Sequence, residues 1–67
     1  MIKLNNKLSV IIPCFNEENY IGNLLSELLK EVNPGEIIVV DDFSTDNSVN
    51  IINSIKDQRI KLVTNEK

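Results

Sequence analysis

The chain has 67 residues, room for one small domain, and a domain of that size buries only about 60% of its unfolded surface. At 42% hydrophobic and 25% charged, with a formal charge of −3, it reads as an ordinary globular sequence. It has no basic stripe to neutralise nucleic-acid phosphates and no polybasic patch for anionic lipid. The absence of His and the single cysteine, Cys14, exclude an internal disulfide, a Cys–His nucleophile and a typical Cys/His zinc site.

Residues 1–6 read as a loose start. Lys3 is followed by polar Asn5, Asn6 and Lys7 instead of a long apolar stretch, so no signal peptide is expected. No run approaches the roughly 18 apolar residues of a membrane span, and the expected compartment is the cytoplasm. Residues 7–13 predict a first strand, with Leu8, Val10, Ile11 and Ile12 apolar and Pro13 closing it because proline has no N–H for a sheet ladder. A loop, Cys14-Phe15-Asn16, follows.

Residues 17–32 predict the first helix. Ile21, Leu24, Leu25, Leu28, Leu29 and Val32 recur at helical spacing and form one apolar face. Asn16 suits an N-cap, and Glu17 and Glu18 suit the positive end of the helix dipole. Asn33-Pro34-Gly35 stops the helix. Residues 36–41 predict the second strand, in which four consecutive β-branched residues, Ile37 to Val40, leave no polar face, as in a strand covered on both sides. A second helix is expected to start near Ser44 or Thr45 and end near Lys56, with Val49, Ile52 and Ile55 on one face. Residues 59–64 predict a third, edge-like strand, because Ile60 and Leu62 alternate with charged neighbours.

The pattern is an α/β unit, β-α-β-α-β, with parallel strands and right-handed crossovers, expected as part of a three-layer, Rossmann-like arrangement. Such sheets bind ligands at the carboxyl ends of their strands. There Phe15, Asn16 and Glu17 would face Asp41 and Asp42 across a shallow crevice. A ring can pack on a base or sugar, a carboxylate accepts from base N–H or ribose hydroxyls, and N–H groups at a helix start favour phosphate. A plain reading stands beside this one: Phe15 seals the core, Asn16 caps, Glu17 complements the dipole, and 42–46 is only a polar strand-to-helix turn. The first loop contains no glycine, against the Gly-x-Gly-x-x-Gly of dinucleotide-binding domains. A phosphorylation receiver would need an acceptor Asp and a Lys at later strand ends than these residues offer.

Two stretches, Ser9-Val10-Ile11-Ile12-Pro13-Cys14-Phe15-Asn16-Glu17-Glu18 and Glu36-Ile37-Ile38-Val39-Val40-Asp41-Asp42-Phe43-Ser44-Thr45-Asp46, together resemble the start of family 2 glycosyltransferases of the GT-A fold. The family pattern is a strand ending Ile-Pro-x-Tyr/Phe-Asn-Glu, a helix, and a strand ending Val-Asp-Asp-Gly-Ser-x-Asp. The wording looks most like the polyprenyl-phosphate glycosyltransferase branch. Phe43 departs from the pattern, where the family usually has Gly, and Phe15 replaces the commoner Tyr.

The resemblance implies that Pro13 and Phe15 line a nucleotide pocket and that Glu17 contacts the nucleotide from the helix start. It implies that Asp42 hydrogen-bonds the base, with Asp41 bracing the turn or contacting the ribose. It implies a UDP-sugar or GDP-sugar donor, an acceptor such as a polyprenyl phosphate or growing polysaccharide, and Mg²⁺ or Mn²⁺ in a full-length enzyme. No Asp-x-Asp metal motif occurs in residues 1–67, so no metal is expected on this chain, which reads as the N-terminal portion of a larger GT-A domain, inactive alone. Any membrane attachment would come through other parts of a parent protein. An unpaired, apolar edge on the first strand predicts a homodimer or higher assembly. The alternative to a nucleotide-sugar half-site is a non-catalytic βαβ module that self-associates and binds no nucleotide.

Overall fold

The computed structural model describes residues 9–31 and 35–65. Three strands, β1 (Ser9–Cys14), β2 (Glu36–Asp41) and β3 (Ile60–Thr64), alternate with two helices, α1 (Ile21–Glu31) and α2 (Ser48–Ser54). The strands form one parallel sheet in the order β1-β2-β3, the α/β arrangement expected from the alternating pattern.

Parallel register sorts the side chains into rows across the three strands. Val10, Ile37 and Ile60 share one row, and Ile12, Val39 and Leu62 the next. Both rows belong to the same core cluster as Ile21 and Leu25 of α1 and Ile52 of α2. The two helices therefore cover the same face of the sheet. This is what right-handed crossovers that step in one direction along a sheet must give. Gly22 permits close approach between the helices: a Cβ there would lie 3.3 Å from the Ile51 methyl.

The described residues thus supply the sheet and one helical layer of the expected three. The opposite face carries Ile11, Ile38, Val40 and Val63, with Ile11 65% exposed. The β-branched run of β2 accordingly splits by parity, Ile37 and Val39 being buried while Ile38 and Val40 stay half-open.

Beyond a one-residue later start of β3, element limits differ from expectation in three elements, each for a local reason. β1 continues through Pro13 to Cys14. Cys14 turns its carbonyl toward β2, where it accepts from the Asp42 N–H at 2.8 Å, so the nitrogen of Pro13 points to the outer side of an edge strand, where a missing donor is tolerated. α1 begins at Ile21 and not at Glu17. Residues 17–20 form a turn in which the Glu17 carbonyl accepts from Tyr20 and Ile21, while the N–H groups of Glu17 and Glu18 are drawn to another loop. α2 begins at Ser48 instead of 44–45 and ends at Ser54, because residues 44–47 serve the same cross-link. Along α1, Ile21 and Leu25 are buried, Leu28 and Leu29 half-buried, and Leu24 exposed. The expected contributions of Lys7, Leu8 and Val32 lie outside the described residues.

Candidate functional site

The carboxyl ends of β1 and β2 meet at the register pair Cys14–Asp41. From there the two loops leave side by side and are laced together by hydrogen bonds between residues about thirty positions apart. The Asn16 N–H donates to Ser44 Oγ at 2.9 Å. The Asn16 side-chain Oδ1 accepts from Thr45 N–H at 2.8 Å and, more weakly, from Asp46 N–H at 3.3 Å. The Glu17 N–H donates to Ser48 Oγ at 2.8 Å, and Glu18 N–H to Asp46 Oδ2 at 3.1 Å. Glu18 Oε1 in return accepts from Asn47 N–H at 2.9 Å.

Asp41 anchors this lattice from below. It is 2% exposed, and its carboxylate accepts from Ser44 N–H at 3.0 Å and from Ser44 Oγ at 2.5 Å. A buried carboxylate needs such partners, since an unpaired one would carry a large desolvation cost. Ser48, also fully buried, accepts from Glu17 while its own N–H donates to Asp46 Oδ1 at 2.9 Å.

Among the described residues, two hold left-handed backbone. Asn16 has φ 51° and Phe43 φ 65°. Asn tolerates this region, but for a bulky residue it is strained by about 1–2 kcal/mol. Phe43 is pinned on both sides: Asp42 bonds to β1, and Ser44 bonds to Asp41 and Asn16.

Of the residues singled out from sequence, Pro13, Phe15 and Asp42 are exposed at this edge, and Glu17 is half-buried with its backbone N–H engaged. Asp41 differs: its carboxylate is turned inward, where it accepts from the Ser44 N–H and hydroxyl. The structure therefore brings Phe15, Glu17 and Asp42 to one rim and sets Asp41 beneath it. The sequence alone offers Asn16 as a crevice residue or a cap and Ser44 as a cap, and it does not single out Ser48. The signal available for Ser48 is its spacing: it stands four and seven residues before Ile52 and Ile55, on the apolar face of the second helix.

The electrostatics follow from this packing. Burial pushes the Cys14 thiol up, and the neighbouring Asp41 charge adds to it, so Cys14 is a packing residue and not a reactive thiolate. At Asp46 desolvation acts upward, but hydrogen bonds from the Ser48 side chain and backbone and from the Glu18 backbone together outweigh it, holding the carboxyl below its ordinary range. Among the described residues no group of three or more His, Cys, Asp or Glu stands together to hold a metal ion. No described helix is long and apolar enough to cross a membrane.

A parallel sheet with helices on one face and interlocked loops at its strand ends defines an α/β unit. The family model described as Glycosyl transferase family 2 matches residues 9–67, and the chain belongs to that family. An uncharacterized glycosyltransferase of Haemophilus influenzae is 45% identical over 58 residues, covering 82% of this chain and 23% of the relative. The UDP-Glc:alpha-D-GlcNAc-diphosphoundecaprenol beta-1,3-glucosyltransferase WfgD of Escherichia coli is 40% identical over 60 residues, 88% of this chain and 24% of the relative. Among solved structures, Staphylococcus aureus TarS 1–349 in complex with UDP superposes with a TM-score of 0.80 at 38% identity, covering 92% of this chain and 20% of that one. The chain thus spans less than a quarter of the length of these proteins.

Proposed function

We propose that residues 1–67 form the nucleotide-binding half-site of a glycosyltransferase that uses a UDP-sugar or GDP-sugar, with a polyprenyl phosphate or growing polysaccharide as acceptor. The observation that carries this reading is the TM-score of 0.80, over 92% of the chain, to a structure holding UDP. Phe15 and Pro13 supply apolar surface to the nucleotide, Asp42 accepts from the base, and Glu17 contributes from the turn before α1. Asp41 acts through the turn it braces. The half-site alone has no transferase activity. Mg²⁺ or Mn²⁺ belongs to the full-length enzyme; the described residues offer no ligand set for it. The parent enzyme would work in the cytoplasm or at the cytoplasmic face of a membrane.

The test is an NMR titration of the chain with UDP and with GDP, with and without Mg²⁺ or Mn²⁺. Saturable shifts centred on Phe15, Glu17 and Asp42 are expected, and preference between the nucleotides names the donor class. Absence of shifts at millimolar nucleotide would overturn the reading. A second reading, a self-associating module without nucleotide affinity, is favoured by the exposed apolar row on the open sheet face, Ile11 foremost. Self-association to a dimer or beyond is expected on either reading, and a clean monomer by light scattering at moderate concentration counts against it; self-association without nucleotide-induced shifts singles out the second reading.

A further inference from the structure

Phe43 is held in its conformation only through its neighbours, Asp42 and Ser44. None of the hydrogen bonds that tie the loops together involves it. Its backbone nonetheless adopts φ 65°, a region where glycine would sit without strain, and glycine is what the family pattern has there. Strain of this kind persists where surrounding structure holds it, and it concentrates at ligand sites. The ring is not used to fill the core, since Phe43 is 56% exposed.

Its counterpart on the other loop is Phe15, 54% exposed. The Asn16 N–H to Ser44 Oγ bond joins the residues that directly follow the two phenylalanines. Two exposed aromatic rings are thus held at the tips of adjoining strands, on a rim otherwise polar: Asn16, Asp42, Ser44 and Thr45. Exposed rings beside hydrogen-bonding groups suit a flat heterocycle, which takes stacking on its face and hydrogen bonds at its edge.

We infer that Phe43 is a stacking residue for the nucleobase of the nucleoside diphosphate, working with Phe15 while the adjacent Asp42 accepts from the base edge. This rests on the nucleotide reading above and adds a residue that the family pattern does not supply.

The experiment measures UDP and GDP dissociation constants for the whole chain and for Phe43→Gly, Phe43→Leu and Phe43→Tyr, with thermal melts of each. Phe43→Gly is expected to melt no lower than the parent, because the left-handed strain is gone, yet to bind roughly tenfold more weakly. Phe43→Leu, apolar but not planar, weakens binding to a similar degree, and Phe43→Tyr retains it. Binding by Phe43→Gly within twofold of the parent would overturn the inference and leave the half-site reading intact. Absence of binding by the parent chain would overturn both. Should Phe43→Gly fail to fold, the Leu and Tyr variants decide alone: equal affinities for those two would refute a stacking role.

Discussion

Asn16 offers a sharp test of how the two loops are held, because it combines a left-handed backbone with a side-chain acceptor. Its Oδ1 makes one short bond, to Thr45 N–H at 2.8 Å, and longer contacts at 3.3 and 3.4 Å. Thr45 is exposed, so water replaces the acceptor when it is removed and the net loss is about 1 kcal/mol. Asn16→Ala suffers this loss and also places a Cβ-bearing residue without Asn's tolerance at φ 51°, about 1.5 kcal/mol more, for a total of about 2.5. Asn16→Gly suffers the first loss and the added freedom of glycine in the unfolded chain, about 0.7 kcal/mol, for a total of about 1.7. Asn16→Asp keeps both acceptor and backbone tolerance, and its new charge near Glu17, Glu18 and Asp46 costs under about 1 kcal/mol at an exposed site. The expected order of stability is Asp, then Gly, then Ala, the reverse of the usual advantage of alanine over glycine. Urea unfolding followed by far-UV circular dichroism at neutral pH reads it directly. An alanine variant as stable as the glycine variant would refute the argument that backbone conformation at Asn16 matters to the lattice.

Ser48→Ala removes the acceptor of the part-buried Glu17 N–H and is expected to lower stability by about 1–3 kcal/mol; faster hydrogen exchange at the Glu17 amide locates the effect. Leu25, fully buried between α1 and the sheet, should cost about 2–5 kcal/mol as Leu25→Ala, enough to unfold a domain this small, visible as loss of the cooperative urea transition. Asp46 and Asp57 both titrate below their ordinary value of 3.8, Asp46 through the Ser48 and Glu18 bonds that overcome desolvation and Asp57 chiefly through the Arg59 side chain. A carboxyl whose folded value is depressed contributes stability that is present above the unfolded value and lost as pH falls through the folded one. The urea midpoint should therefore drop on acidification below about pH 4, and Asp46→Asn should lower it at neutral pH while flattening that acid slope.

Much of the architecture was legible because it depends on short-range periodicity. The helical spacing from Ile21 to Leu29 predicted the face that packs on the sheet, and the limits of β2 were readable from the β-branched run between Gly35 and the paired aspartates. The alternation in β3 correctly marked Lys61 as outward and Ile60 and Leu62 as inward. What escaped was whatever depends on partners far along the chain. A local reading treats Glu17 and Glu18 as the first turn of a helix, since nothing nearby shows that their N–H groups belong to Ser48 and Asp46. The same blindness made Ser44 a cap, when it is the link between Asp41 and Asn16. Asp41 and Asp42 look equivalent in sequence, and only the pleat, which turns one inward and the other out, separates a brace from a rim group.

The lacing of the two loops also governs how the edge can move. Most of the bonds that satisfy each loop's amides come from the other loop's side chains, so neither can swing away alone without giving up bonds on both sides, the part-buried one from Glu17 to Ser48 among them. The edge should open as one cooperative unit, with the amides of Asn16, Glu17, Thr45 and Asp46 exchanging at a shared rate set by a single opening equilibrium. A bound molecule that touched only one loop would then slow exchange in both, and its grip would be felt at the first turn of α2 as strongly as at the tip of β1.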